Sequence, residues 1–249
     1  MSKHFSDYDA FAWFYNRYWG STFADRFLAV IEQLFLSHLT PGARIVDLGC
    51  GTGQLARVLS DQGFLVTGLD GSEAMLALAR ENAPGVEFIA ADARRFSLPA
   101  ASHGVLSTFD SLNHVMTLPE LAEVFRNVYA ALHDGGRFLF DLNMEEGYRA
   151  RWRGSIAFVE EDNVCAVRAH FDPEQRIGRN EITMFRRADG AWRRSDVILV
   201  QRCYTESEVR GALTEVGFTE VSTREAERDL GMAGNVGRTF FLARKPLRT

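Results

Sequence analysis

Apolar positions along the first part of the chain follow two interleaved rhythms. Phe27, Leu28, Ile31, Leu34 and Phe35 recur at helical spacing and predict a helix over 24–38. Pro41-Gly42 interrupts it, and the run Arg44-Ile45-Val46-Asp47-Leu48 predicts a buried strand. Leu55, Val58 and Leu59 return to helical spacing before Gly63, and 64–69 is a second strand ending at Asp70. Ser72 is placed to cap a helix through Met75, Leu76 and Ala79. Short apolar runs at 86–89 and 104–109 predict two more strands. Leu118, Leu121, Ala122, Phe125, Val128, Tyr129 and Leu132 form the most regular stripe of all, Gly135-Gly136 stops it, and 137–141 is a fifth strand. Strands alternating with helices predict an α/β fold: a Rossmann-like, doubly wound, mostly parallel sheet.

The rhythm changes between residues 145 and 203. Cys165, Val167, Ala169 and Phe171 share one face while Arg168 and His170 take the other, and Ala188-Asp189-Gly190 is a hairpin turn. This predicts an antiparallel β insert over 145–203, a cap on a domain made of 1–144 and 204–249. Thr205-Glu206-Ser207-Glu208 has the form of a capping box ahead of Val209, Ala212, Leu213 and Val216. Strands at 218–223 and 238–243 close the chain as a C-terminal antiparallel hairpin.

Composition narrows the function classes. The 249 residues carry a net charge of −5, with Lys and Arg scattered, so neither nucleic acid nor a membrane surface is an expected partner. The three cysteines, Cys50, Cys165 and Cys203, have no metal-ligand spacing, and no metal is expected. The opening MSKHFSDYDAFAWF contains Asp7 and Asp9 and reads as neither signal peptide nor anchor, so the expected compartment is the cytoplasm. Nothing in the pattern specifies an oligomeric state.

The chemistry concentrates at Val46-Asp47-Leu48-Gly49-Cys50-Gly51-Thr52-Gly53, a glycine-rich turn between the first strand and its helix. Glycine there lets backbone approach a ligand closely, at the point in an open α/β sheet where ligands bind. A dinucleotide fingerprint would need a glycine where Gln54 stands, and a phosphate-binding P-loop would need Gly-Lys-Ser/Thr. Three acids accompany the turn. Asp70 ends the second strand, where a carboxylate can accept hydrogen bonds from a ribose diol. Asp92 follows the third strand, where it can meet an adenine amino group. Asp47 precedes the glycines, placed to order the loop or face a ligand ammonium.

The set VDLGCGTG (46–53), GLDGSEAML (68–76), AADARRF (90–96), LSTFDSLNHV (106–115) and LHDGGRFLFDLN (132–143) resembles the class I S-adenosylmethionine-dependent methyltransferases, in the family's order. The resemblance implies S-adenosylmethionine as cofactor, S-adenosylhomocysteine as product, and roles by position. Gly49, Cys50 and Gly51 would approach the methionine part through their backbone, and Asp70 would bind the ribose. Met75 would pack on the adenine, Asp92 and the Ala93 amide would read its edge, and Phe109 would lie beside the methionyl chain. Phe11-Ala12-Trp13-Phe14-Tyr15-Asn16 and Asp110-Ser111-Leu112-Asn113-His114 resemble segments of the small-molecule N-methyltransferases with a β insert, among them those acting on nucleotide-linked amino sugars. On that resemblance Tyr15 would lid the cofactor and touch substrate, and Trp19 would flank the same pocket. His114 is the candidate base and a substrate contact, since its intrinsic pKa suits proton removal near neutral pH. Trp152 and Arg179 are the insert's candidate substrate contacts.

The expected reaction is methyl transfer to nitrogen or oxygen of a small molecule by direct displacement. Three rivals stand beside it. A nicotinamide-dependent oxidoreductase would also want Asp70 about twenty residues past the turn. A nucleic-acid or protein methyltransferase would use the same cofactor. A non-catalytic S-adenosylmethionine-binding protein would keep the cofactor residues alone.

Overall fold

The computed structural model describes residues 7–247; the first six residues of the opening segment and the last two of the chain lie outside that range. Helix α1 (Ala12–Tyr15) runs through a π-helical turn at Asn16–Gly20 into α2 (Ser21–Leu34). There follow β1 (Arg44–Leu48), α3 (Gln54–Asp61), β2 (Leu65–Asp70), α4 (Glu73–Asn82), β3 (Glu87–Ala90) and β4 (Ser102–Ser107). Then come α5 (Leu118–Ala131), β5 (Leu132–Asn143), α6 (Glu145–Arg151), and the strands β6 (Gly154–Val159), β7 (Asn163–Asp172), β8 (Ile177–Ala188) and β9 (Ala191–Arg202). Helix α7 (Glu206–Val216), β10 (Thr219–Glu225) and β11 (Arg238–Arg244) end the described chain.

The seven-stranded sheet has the order β10-β11-β5-β4-β1-β2-β3. Strands β1 to β5 pair in parallel, and β11 and β10 add on antiparallel beside β5. The α/β fold expected from the rhythm is therefore the one observed. Alternate residues of each strand feed opposite cores, as a pleated sheet requires. Val46, Val105, Phe138, Phe140 and Phe241 pack beneath α5 and α7. Ile45, Leu106, Leu139 and Phe240 pack beneath α2 and α3 on the other side. Chain order reverses between β1 and β4, and such a switch point leaves a crevice at the carboxyl ends of the strands.

Local signals act as read at the helix starts. Ser72 Oγ accepts from Met75 N, and Thr205 and Glu208 form the reciprocal capping box of α7. Two boundaries differ. Gly135-Gly136 does not separate helix from strand. It lies inside β5, because Gly135 N donates to the Lys245 carbonyl and Lys245 N to the Gly136 carbonyl, each at 2.9 Å. The predicted fourth strand stops at Ser107, since Phe109 and Asp110 turn left-handed.

Strands β6 to β9 form a separate four-stranded antiparallel sheet, in that order. Residues 145–151, expected within a β insert, are helical instead, with Glu145 and Glu146 in the first turn and Arg149 and Arg151 in the last to suit the helix dipole. The N-terminal segment wedges between the two sheets. Phe11 and Phe14 join Cys165, Val167, Ile182, Met184 and Leu199 in one buried cluster. Phe158 stacks on Tyr18 at 4.4 Å and meets Trp19 edge-on at 4.9 Å. Among the described residues, no helix is long and apolar enough to cross a membrane, and no cluster of His, Cys, Asp or Glu could hold a metal.

Candidate active site

The loop after β1 is pinned to β2 by backbone bonds from Gly49 N (2.7 Å) and Cys50 N (3.0 Å) to the Leu69 carbonyl. Gly51 N donates to Asp70 Oδ2 and Ser72 N to Asp70 Oδ1, both at 2.9 Å. Burial raises the Asp70 pKa, and these backbone donors work against that rise. Gly51 has φ +53°, and a Cβ there would sit 3.4 Å from Cε1 of Tyr15. The bare loop thus lies directly under the Tyr15 ring. Asp47 is buried behind it, and its Oδ2 has no hydrogen-bond partner among the described residues. Burial first, and the neighbouring Asp70 second, push its pKa up to about 7.

Two departures from motif expectations turn out to work together. Gln54 stands where a dinucleotide-binding glycine would be. Its Nε2 donates to Asn16 Oδ1 at 2.6 Å, and Asn82 Nδ2 donates to the same oxygen at 2.8 Å. Asp9 Oδ1 accepts from Ser72 Oγ at 2.5 Å and from Ala74 N at 3.4 Å. The N-terminal segment is thereby tied to the starts of α3 and α4, over the glycine loop.

A first cavity of about 310 Å³ opens here. Tyr15, Gly49, Gly51, Asp70 and Met75 line it, as do Asp92, Ala93, Phe109 and His114 further round. Cys50 is buried beside Gly68 instead, and burial raises its thiol pKa. Asp92 has a partner that the motif does not announce. Arg94 grips both carboxylate oxygens through Nε (2.9 Å) and Nη2 (2.8 Å), and passes Nη1 to Glu120 at 2.6 Å. Burial alone would raise the Asp92 pKa; the Arg94 guanidinium and amide outweigh it and hold the carboxyl below its ordinary value.

At the end of β4, Phe109 (φ +63°) and Asp110 (φ +53°) are consecutive left-handed residues with side chains, an arrangement costing about 1 kcal/mol or more each. The fully buried Asp141 carboxylate holds them, accepting from Phe109 N at 2.7 Å and Asp110 N at 3.1 Å. Arg238 from β11 bonds Asp141 and reaches Asp110 Oδ1 at 2.7 Å. Burial raises the Asp141 pKa and Arg238 opposes the rise.

His114 is enclosed just beyond. Its Nδ1 lies 2.8 Å from the Val200 carbonyl, which can only accept, so Nδ1 carries the proton. Nε2 is then an acceptor, facing the Tyr8 hydroxyl at 2.8 Å and the Gln201 amide at 3.2 Å. Burial lowers the His114 pKa, which keeps the ring neutral at pH 7. Gln201 also donates to Asp110 Oδ2 at 2.6 Å and accepts from the Tyr148 hydroxyl at 2.8 Å.

A second cavity of about 280 Å³ lies between the two sheets and shares Tyr8, Tyr15, Phe109 and Leu199 with the first. Trp19 and Trp152 line this one. Trp152 packs over Gly178, where a Cβ would fall 2.9 Å from its ring and 2.6 Å from Tyr148. Arg179 is not brought to either cavity. Its neighbours Gly178 and Asn180 face inward, so strand alternation turns Arg179 to the exposed outer face of the four-stranded sheet. Tyr8, Asp110, Arg151, Gln201 and Arg238 reach the site without having been singled out in the sequence.

Residues 45–136 match a family model described as a methyltransferase domain. Over its full length the chain is similar to a protein of Geobacillus sp. (strain WCH70) that bears a methyltransferase name. The two are 29% identical over 245 residues, covering 96% of this chain and 99% of that one. A S-adenosylmethionine-dependent methyltransferase from Clostridium acetobutylicum superposes with TM-score 0.75 at 19% identity, covering 97% of this chain and 100% of that one. The S-adenosylmethionine-bound amino pentose methyltransferase from Micromonospora echinaspora superposes with TM-score 0.64 at 26% identity, covering 91% and 89%.

The chain carries a class I, S-adenosylmethionine-dependent methyltransferase domain. The oxidoreductase reading gives way to it, as Gln54 already suggested. The methyltransferase residues suit a cofactor with a cationic amino-acid end, because the Asp47 oxygen is buried without a hydrogen-bond partner among the described residues and the glycine loop carries no side chain to hold a ligand off. When bound, S-adenosylmethionine supplies an electrophilic methyl group on a sulfonium.

Proposed function

We propose that the enzyme methylates a nitrogen or oxygen atom of a small molecule held in the second cavity. The observation that carries this reading is the junction of the two cavities at Tyr8, Tyr15, Phe109 and Leu199. A cofactor in the first cavity and an acceptor in the second would meet there. The similarity to an amino pentose methyltransferase supports a small acceptor.

On this reading the backbone of Gly49, Cys50 and Gly51 holds the methionine part, with Asp47 beneath it as counter-charge. Asp70 takes the ribose, Met75 packs on the adenine, Asp92 and the Ala93 amide read its edge, and Phe109 lies beside the methionyl chain. Tyr15 lids the junction, and Trp19 and Trp152 wall the acceptor. Residues 145–203 act as the cap and 1–144 with 204–249 as the cofactor-binding unit. The chain's contribution to rate is alignment and exclusion of water, since a direct displacement depends on geometry. An acceptor that arrives protonated hands its proton to Tyr8, which passes one to His114 Nε2; His114 thus works through Tyr8 rather than alone.

The test is to incubate the enzyme with methyl-labelled S-adenosylmethionine and an extract of the source cell, then separate small molecules from macromolecules. Label in the small molecules is the expected result. Label confined to protein or nucleic acid would make the cap a macromolecular docking surface. Cofactor binding with no label anywhere would favour a non-catalytic protein.

A further inference from the structure

Two consecutive residues of β9 address the two ring nitrogens of His114. The Val200 carbonyl faces Nδ1 at 2.8 Å, and the buried Gln201 amide lies 3.2 Å from Nε2. The orientation of that amide is set by its other partners. Its Oε1 accepts from the Tyr148 hydroxyl at 2.8 Å, and its Nε2 donates to Asp110 Oδ2 at 2.6 Å. Flipping it would set the amide oxygen against a carboxylate, two acceptors with no proton between them. One amide hydrogen is therefore committed to Asp110, and the second is presented to His114 Nε2. Gln201 stands between a carboxylate and an imidazole.

The groups facing the ring come from three elements. Asp7 and Tyr8 belong to the N-terminal segment, Asp110 to the ring's own loop, and Val200 and Gln201 to β9. Behind Asp110 lie Asp141 of β5 and Arg238 of β11. Burial, the largest influence, disfavours a charged ring; Asp110, the Val200 carbonyl and Asp7 favour one. The Asp110 oxygens are already occupied, Oδ1 by Arg238 at 2.7 Å and Oδ2 by Gln201.

We propose that Gln201 is a positioning residue that insulates His114 from Asp110 and so keeps the ring neutral, with its Nε2 lone pair turned to Tyr8. It fills the place from which the carboxylate would otherwise face the ring, and it turns an N–H rather than an acceptor toward Nε2. Without that N–H, an imidazolium would gain Asp110 as a counter-charge across the space the amide now fills. The value of this to catalysis rests on the reading of His114 as the acceptor of the proton that Tyr8 passes on.

The experiment follows the His114 imidazole by NMR in the full-length enzyme, carrying isotope-labelled histidine and loaded with S-adenosylhomocysteine. His114→Gln identifies its signal among those of the six histidines. In the wild type the ring holds its proton on Nδ1 and titrates below the ordinary imidazole range. Gln201→Met keeps the length of the side chain and removes the amide; it should raise the midpoint by about one unit or more, in the range for a carboxylate facing a cation. Gln201→Glu should raise it further, because it sets a second acceptor against Nε2. Unaltered S-adenosylhomocysteine affinity shows that a variant is folded, and should Gln201→Met fail to fold, the isosteric Gln201→Glu decides alone. A Gln201 of purely structural role would lower stability in the variants and leave the midpoint at its wild-type value, which overturns the proposal. The acid limb of kcat/KM separates the proposal from the reading beneath it. A limb that moves up together with the midpoint supports both. A midpoint that rises while the limb stays in place keeps Gln201 in its role and removes His114 as the proton acceptor.

Discussion

At the residue scale, each candidate behaves according to what the fold puts beside it. Asp47 ionises near 3.8 when free and near 7 in the fold. Between those values the folded chain holds a proton that the unfolded chain has lost, so this residue's contribution to stability falls as pH rises through that window. Asp47→Asn should therefore stabilise the cofactor-free protein above pH 7, by up to about 4 kcal/mol on linkage arithmetic. The same variant should bind S-adenosylmethionine more weakly. Urea unfolding at pH 5 and pH 8 reads the first effect and calorimetry the second. Asp70→Ala should weaken S-adenosylhomocysteine binding about tenfold or more, as expected for loss of a carboxylate that accepts hydrogen bonds; unchanged affinity would remove Asp70 from the site. The Tyr8–His114 pair makes a prediction about pH. Because burial lowers the His114 pKa, kcat/KM for the acceptor at saturating S-adenosylmethionine, where Asp47 is held ionised by the cofactor, should fall only on the acid side, below the ordinary imidazole range, where the ring protonates. His114→Gln should abolish that acid limb, and Tyr8→Phe should lower kcat with little change in cofactor affinity. An acid limb that persists in His114→Gln would assign the proton to another group.

At the scale of elements, helix starts were legible because they are local. The Thr205 cap and the Glu208 return bond are three residues apart and need no tertiary information. Thr205→Ala should cost about 1 kcal/mol of stability and leave kcat untouched, since Val209, Ala212 and Leu213 of α7 pack in the core with Phe138 and Phe241 and no residue of α7 lines either cavity. Thermal unfolding together with a turnover assay checks it. The β5 boundary was not legible, because Gly135-Gly136 reads as a helix stop until Lys245, more than a hundred residues later, pairs with it. Helix α6 was hidden by the alternation of the strands that follow it. Arg179 shows the limit of single-residue reasoning in a strand. Its chemistry suited a substrate contact, but which face it takes depends on register, and a shift of one residue inverts it.

At the scale of the whole molecule, the N-terminal segment joins the two sheets. Tyr18 and Trp19 meet Phe158 of the cap, while Asn16 and Asp9 bind the starts of α3 and α4. Phe158→Ala should loosen the cap specifically. The expected outcome is a loss of about 2 kcal/mol in stability, in the range for truncating a partly buried aromatic, with KM for the acceptor raised and S-adenosylhomocysteine affinity kept. Equal loss of both affinities would mean that the segment supports the cofactor cavity alone.

The sequence by itself determined the parallel sheet, its helices, the glycine turn and the acids Asp47, Asp70 and Asp92, because periodicity, caps and loop motifs are written within a few neighbouring residues. Only the tertiary structure decided that Arg94 grips Asp92, that Asp141 and Arg238 hold the left-handed Phe109-Asp110 turn, and that His114 faces Tyr8. Tyr8 and His114 are 106 residues apart, and Asp110 and Arg238 are 128 apart. Their contact is a property of how β4, β5 and β11 line up and where the N-terminal segment lies. No local pattern encodes that alignment, which follows from the joint burial of both sheet faces.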